Sequence, residues 1–330
     1  MSEGLDKQLV ECELCPKRCR LAHLERGDCR VRYNFGGELR TLVYGNPCSL
    51  HIDPIEKKPM FHFLPGTPIF SVATAGCNLH CQFCQNWQIS QSNPEDLDNQ
   101  DFPPEKVVEA AISRQCLSIA YTYTDPIIFY EYTYDTAKLA RSHGLKNVLV
   151  TAGYINEKPL RELCKFIDGA NVDLKSFSDD FYKNICGGTL KPVLKALKVM
   201  KDEGVLVEIT NLIVPTLNDD MDEFRRMCDW IADNMGQETP LHISRFHPQY
   251  KLLQLPPTPR ATLQQAARIA KAQGLKHVYV GNIRSPQFEN TYCPDCGETL
   301  IERQGFRVES YKINNGRCPK CGSAIHGVWQ

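Results

Sequence analysis

Three cysteines constrain this chain more than any other feature. Cys77, Cys81 and Cys84 lie three and two residues apart, directly after a strand-like apolar run at 69–75. No fourth cysteine follows at matching spacing. Thiolates are the soft ligands that hold iron–sulfur clusters. Three of them on a four-iron cube leave one iron free to bind another molecule directly. Two plainer readings stand beside this one. His80 with the three sulfurs would complete a zinc site, but it adjoins Cys81 and the geometry is cramped. Disulfides need an oxidising compartment, and the opening residues 1–9 are polar, without the apolar core of an export signal. The expected location is cytoplasmic.

The chain has 16 cysteines, and most fall into three spaced groups. Clustered thiols in a chain without an export signal read as metal ligands. The first group is Cys12-x2-Cys15-x3-Cys19-x9-Cys29. It is too small to build a core, so a metal would supply the folding free energy. Zinc and an auxiliary iron–sulfur cluster both suit it. The last group pairs Cys293-Pro-Asp-Cys296 with Cys318-Pro-Lys-Cys321. Two such knuckles predict a closed four-sulfur zinc ribbon with a hairpin at 299–311 between them. Among the scattered cysteines, Cys116, Cys164 and Cys228 sit in apolar contexts and read as core residues.

Between these groups, apolar runs alternate with amphipathic helical ones. Strands are expected at 69–75, 117–123, 147–152, 170–174, 206–214, 241–246 and 277–280. Helices are expected at 104–115, 127–143, 157–166, 191–203, 221–234 and 258–273. This order predicts parallel strands with right-handed crossovers. Its length suits an α/β fold of the partial or near-complete (β/α)-barrel kind, with the site at the C-terminal strand ends. Residues 53–59 read as a loop because Pro54 and Pro59 cannot donate in a sheet. Lys57 or Lys58 would lie near an anionic group at the cluster mouth. The organisation expected is a cysteine-rich segment with strands and loops at 1–68, a barrel at 69–285 and a zinc ribbon at 286–330. No run of about 20 apolar residues argues for a membrane span. A net charge of −1 gives no global pull on nucleic acid.

The Cys-x3-Cys-x2-Cys run with Phe83 before the third cysteine resembles the radical S-adenosylmethionine (SAM) superfamily. Residues 76–90, 53–59, Ser244-Arg-Phe-His-Pro248, Tyr279-Val-Gly-Asn282 and the terminal knuckles together resemble the radical SAM enzyme of the AmmeMemoRadiSam system, related to pyruvate formate-lyase activating enzymes. The resemblance implies a radical SAM barrel with a [4Fe-4S] cluster on Cys77, Cys81 and Cys84. It implies reductive cleavage of SAM to methionine and a 5′-deoxyadenosyl radical that abstracts hydrogen from a substrate. It also implies SAM contacts at Phe83, Thr124, Asp125, Asp173, Lys175, Thr210, His247 and Asn282. An electron donor such as flavodoxin or ferredoxin, and Memo-like and AMMECR1-like partners, follow by association. Here Thr124-Asp125 stands where related sequences generally have Asn-Glu. Activation of a glycyl radical enzyme is the alternative within the class. A non-catalytic metal- or nucleic-acid-binding protein is the alternative outside it, with Arg303, Arg307, Lys312 and Arg317 as local charge.

Overall fold

The computed structural model describes residues 9–283 and 285–329; the polar opening stretch through Gln8 lies outside them. Its centre is an eight-stranded sheet. In chain order the strands are β1 (Ser49–Pro54), β2 (Pro68–Ala73), β3 (Ser118–Tyr121), β4 (Lys146–Thr151), β5 (Gly169–Asp173), β6 (Leu206–Ile213), β7 (Leu241–Arg245) and β8 (Val278–Gly281). Each pairs with the next, in parallel from β2 onward. Both faces of β2 and β3 are covered, which is why they read as largely apolar runs.

The crossover helices are α1 (Pro104–Ser113), α2 (Tyr130–Ser142), α3 (Glu157–Cys164), α4 (Leu190–Asp202), α5 (Met221–Asn234) and α6 (Arg260–Ala272). Helix α5 shows how sequence fixes them. The Asp220 carboxylate caps its start by accepting from the backbone N–H of Asp222 at 2.8 Å and of Glu223 at 3.0 Å. Such a cap stabilises by about 1 kcal/mol. Phe224, Met227, Cys228 and Ile231 then form one buried stripe against the sheet. Cys116 and Cys164 are buried likewise.

The sheet curls without closing: β8 and β1 are its two edges. The expected seven parallel strands are present, and β1 is an addition. It pairs antiparallel with β2 and draws in Asp53 and Pro54, which the proline rule assigned to a loop. Pro54 ends an edge strand, where its missing donor costs no ladder bond. A short 3-10 turn, Ile55–Lys57, follows. Residues 55–64 then plug the lower end of the curl, where Ile55, Met60, Phe63 and Leu64 pack with Ile69, Val148 and Leu206.

The C-terminal unit is a three-stranded sheet of Thr291–Tyr292, Thr299–Gln304 and Arg307–Tyr311, as the knuckle spacing predicts for its hairpin. It locks onto the plug. Leu64 N–H donates to Val328 O at 2.8 Å and Val328 N–H to His62 O at 2.8 Å. Arg303 donates to Phe61 O at 2.8 Å and to Thr291 Oγ1 at 2.8 Å. Near the N-terminus, Val10–Glu11 pairs with Arg20–Leu21, and Arg32–Phe35 with Glu38–Thr41. Among the described residues no helix is long and apolar enough to cross a membrane.

Candidate functional site

A cavity of about 660 Å³ opens inside the curl. Cys77, Cys81 and Cys84 line one end of it, on the loop leaving β2. Two elements brace that loop. The backbone N–H of His80 donates to Cys186 O at 2.7 Å, and that of Gln82 to Ile185 O at 3.0 Å. The partner segment, Tyr182–Cys186, is one turn of π-helix, a form that often marks functional sites. On the other side, Gly76 has φ +89, and a Cβ there would lie 2.4 Å from Cys29 O. Only glycine lets the cluster loop pass so close to the N-terminal segment.

The three thiols are not equivalent. Burial pushes Cys77 well above the usual thiol range, and the nearby Asp125 carboxylate adds to this. Burial also raises Cys84, whose sulfur lies 3.2 Å from Ser90 Oγ. Cys81 goes the other way, down to about 7, chiefly through a hydrogen bond from the Cys186 thiol. Among the described residues, the C-terminal cysteines alone form a set of three or more His, Cys, Asp or Glu ligand atoms all within 4.8 Å. The sulfurs of Cys77, Cys81 and Cys84 therefore stand farther apart than one ion would hold them. Three cavity-lining thiols with no fourth ligand gathered beside them fit a cluster with one open corner. His80 is engaged elsewhere, at 2.9 Å from Asp28 Oδ2 and 2.8 Å from Gln91 Oε1.

Phe83, Thr124, Asp125, Asp173, Lys175, Thr210 and Asn282 all line the same cavity. Lys175 Nζ donates to Asp173 Oδ2 at 3.0 Å. Burial opposes its charge, but Asp173 and the Cys81 and Cys186 sulfurs outweigh that and hold its pKa well above the usual value. Asp125 accepts from Thr151 Oγ1 at 2.9 Å, Ala152 N–H at 2.9 Å and Ile127 N–H at 3.1 Å, tying the ends of β3 and β4 together. Thr124 donates to Thr74 O, and Thr210 to Asn171 Oδ1. Phe83 packs against Phe181 with ring centres 6.0 Å apart. Asn282 has φ +61 and donates to Arg245 O at 3.0 Å. His247 is exposed and is not part of the cavity wall. The strand β7 ends at Arg245, so the following His-Pro pair runs outward.

The cavity wall extends beyond the expected SAM contacts. Lys58 is 2% exposed, donates to Asp53 Oδ2 at 2.7 Å and sits 4.0 Å from the centre of the Tyr123 ring. Its burial brings its pKa down to about 8. Lys57, Ser71 and Tyr123 also donate to Asp53, at 2.7, 2.8 and 2.5 Å. The expectation of an anionic group beside these lysines is met by Asp53 itself. His242 and Tyr279 stack with ring centres 5.1 Å apart and line the cavity beside Phe61. The hairpin turn Gly305-Phe306 of the C-terminal unit reaches the wall as well.

The C-terminal thiols form a tight group consistent with a zinc ribbon. Cys293 and Cys321 lie 3.6 Å apart, as do Cys296 and Cys318. Zinc–sulfur bonds near 2.3 Å give tetrahedral edges of about 3.8 Å. The basic residues counted as local charge are occupied. Arg303 is buried against Glu56, Arg307 faces Glu309, Lys312 faces Glu298, and Arg317 donates to Gly322 O.

The Radical SAM superfamily profile matches residues 71–231. The uncharacterized protein MJ0808 of Methanocaldococcus jannaschii is 47% identical over 325 residues, covering 98% of this chain and 97% of the relative. The pyruvate formate-lyase-activating enzyme of Clostridium pasteurianum is 26% identical over 52% of this chain and 72% of its own length. A radical SAM methyltransferase structure from Sphaerobacter thermophilus shares the fold, with TM-score 0.53, 16% identity and coverage of 66% and 67% of the two chains. Profile, relatives and the cysteine-lined cavity of the curled sheet agree: the chain belongs to the radical SAM superfamily, in one family with the M. jannaschii protein and related to pyruvate formate-lyase activating enzymes.

Proposed function

We propose that this protein is a catalytic radical SAM enzyme of the AmmeMemoRadiSam kind, with its SAM and substrate sites in the 660 Å³ cavity. One observation carries the reading. The cysteine group facing that cavity is the one with three thiols, and a lysine–aspartate pair stands beside it. Cys77, Cys81 and Cys84 would hold a [4Fe-4S] cluster with one open iron. The cluster and SAM supply one-electron cleavage of a sulfur–carbon bond and a carbon radical able to take hydrogen from a substrate.

The chain's own residues bind, orient and shield. Lys175 is a cation fixed by Asp173 at the cavity wall, suited to donating to the SAM carboxylate. Asp125 keeps the ends of β3 and β4 in register so that Thr124 and the Cys77 thiol face one space. Thr210 presents a hydroxyl whose proton is committed to Asn171, leaving its oxygen as an acceptor. Phe83 offers an aromatic face for adenine, and Asn282 an amide at the rim. His247 would reach a nucleoside only after its loop turned inward. In the substrate half, Lys58, Tyr123, His242 and Phe306 give cationic, hydroxyl and aromatic contacts.

We further divide the chain into a metal-binding segment at 1–68 that lends β1 to the sheet, a barrel at 69–285 and a zinc ribbon at 286–330. A cytoplasmic enzyme fed by flavodoxin or ferredoxin, and acting with Memo-like and AMMECR1-like proteins, completes the proposal. Relatedness to the C. pasteurianum activating enzyme favours a second reading, activation of a glycyl radical enzyme.

The test of the reaction class is anaerobic reconstitution followed by reduction with dithionite in the presence of SAM. Release of 5′-deoxyadenosine is the expected result; a fully loaded, reduced cluster that yields none, with the system's candidate substrates present, would sink it. The carboxylate role has its own test. Lys175→Met should weaken SAM binding to the oxidised, cluster-loaded protein by about 1.5–3 kcal/mol, or roughly 10- to 150-fold. Equilibrium binding measures this directly, and an unchanged affinity would remove Lys175 from the SAM site.

A further inference from the structure

The N-terminal cysteines form a second cavity that the SAM reaction leaves unused. Cys12, Cys15, Cys19 and Cys29 line one pocket together with Asn78, Lys17 and Arg32. The short pairing of Val10–Glu11 with Arg20–Leu21 closes the loop that carries Cys12, Cys15 and Cys19. Cys19 Sγ accepts a bond from Asp28 N–H at 3.5 Å. Arg32 is 5% exposed and held by Glu131 at 2.6 and 2.5 Å through one nitrogen, while its buried Nε has no hydrogen-bond partner. A buried cation with an unused donor in a thiol-lined wall points to an anionic occupant, which four thiolates around a metal centre would be.

The spacing of the sulfurs discriminates between metals. The C-terminal thiols show what a single-ion site looks like in this chain, with all four sulfurs within 4.8 Å. The N-terminal four are not gathered that way, although they share one pocket. Nor are Cys77, Cys81 and Cys84 gathered within that distance. A zinc ion pulls four sulfurs to edges of about 3.8 Å; a four-iron cube keeps them at separate outer corners.

The two cavities are back to back. Cys77 and Leu79 face the SAM cavity, while Asn78 between them faces the N-terminal pocket and reaches Cys15. Gly76 lies directly against the Cys29 carbonyl. Asp28 further binds Lys17 and His80, each at 2.9 Å. One turn of chain is thus the partition between both sets of thiols.

We propose that Cys12, Cys15, Cys19 and Cys29 hold a second [4Fe-4S] cluster, fully ligated and therefore without an open iron. Its chemistry is electron transfer alone. It takes one electron from a low-potential protein donor and passes one to the open cluster, with no bond made or broken. The electron-relay role rests on the SAM reading; the occupancy of the site does not.

Metal content and spectra of the full chain, reconstituted anaerobically with iron and sulfide, test this. The wild type should hold about eight irons and about one zinc. The Cys77→Ala/Cys81→Ala/Cys84→Ala variant should keep about four irons and, once reduced, a paramagnetic cluster signal that SAM does not change. The reciprocal Cys15→Ser/Cys19→Ser variant should keep about four irons with a signal that SAM does change. A wild type with about four irons and about two zincs would make the N-terminal site a zinc site. A triple-alanine variant with zinc in the ribbon and no iron would also overturn the proposal. Because the triple variant lacks the open cluster, its iron reports on this site even if the SAM reading fails.

Discussion

Cys81→Ala, purified and reconstituted without oxygen, is expected to release no 5′-deoxyadenosine above the level of SAM and reductant alone. Cys81 is the most shielded of the three thiols that face the cavity, at 8% exposure, and its sulfur accepts from the Cys186 thiol. Losing it leaves two ligands for a four-iron cube. Removing partners that merely orient a ligand already costs about 10- to 100-fold in affinity or activity; removing a ligand costs more, so activity should fall at least about 100-fold. Cys186→Ser belongs to the milder class. It keeps a donor beside Cys81 Sγ, and should retain measurable cleavage with a shifted cluster potential. Cys116→Ala is the control, because Cys116 is a buried core thiol away from the cavity. Full activity in Cys81→Ala would refute the three-thiol site, and equal loss in Cys116→Ala would attribute the effect to folding.

The alternation of strand and helix was legible because parallel strands are buried on both faces and each helix carries one apolar stripe. Strand β1 was not. Its burial alternates only weakly, and Pro54 reads as a breaker until the structure shows that it ends an edge strand. The three cysteine groups were legible as groups because ligand spacing is local. Which metal each one takes was not, since that depends on how far the sulfurs stand apart in space. Residues such as Thr210 and Lys175 could be placed on strand ends by counting. Tyr123 and Cys186 could not: Tyr123 comes to the cavity from a left-handed turn at φ +63, and Cys186 comes to Cys81 from a π-helical turn. His247 shows the converse: a short motif named it, and the outward path of the chain after Arg245 leaves it on the surface.

The plug that closes the curled sheet depends on one buried charge pair, and Arg303→Ala should expose that dependence. Arg303 and Glu56 are 3.5 Å apart with both side chains fully shielded. Burial raises the Glu56 carboxyl toward its neutral form, and the Arg303 charge counteracts this. Arg303 also satisfies Phe61 O and Thr291 Oγ1, so it joins residues 55–64 to the C-terminal sheet. Breaking a buried pair from one side leaves the other charge without compensation, at a cost of about 3–5 kcal/mol. Arg303→Ala should therefore lower the thermal midpoint by roughly 4–7 °C, without loss of any metal that the four C-terminal thiols hold. Glu56→Gln in the Arg303→Ala background removes the stranded carboxylate and should recover part of the loss. A double variant no more stable than Arg303→Ala would mean that the arginine acts through its hydrogen bonds to Phe61 O and Thr291 Oγ1 alone. Because Phe61 and Phe306 line the 660 Å³ cavity while Arg303 holds the elements that carry them, the same single variant should also weaken substrate-dependent turnover more than SAM binding. A loss confined to SAM affinity would contradict the placement of the substrate at this end of the cavity.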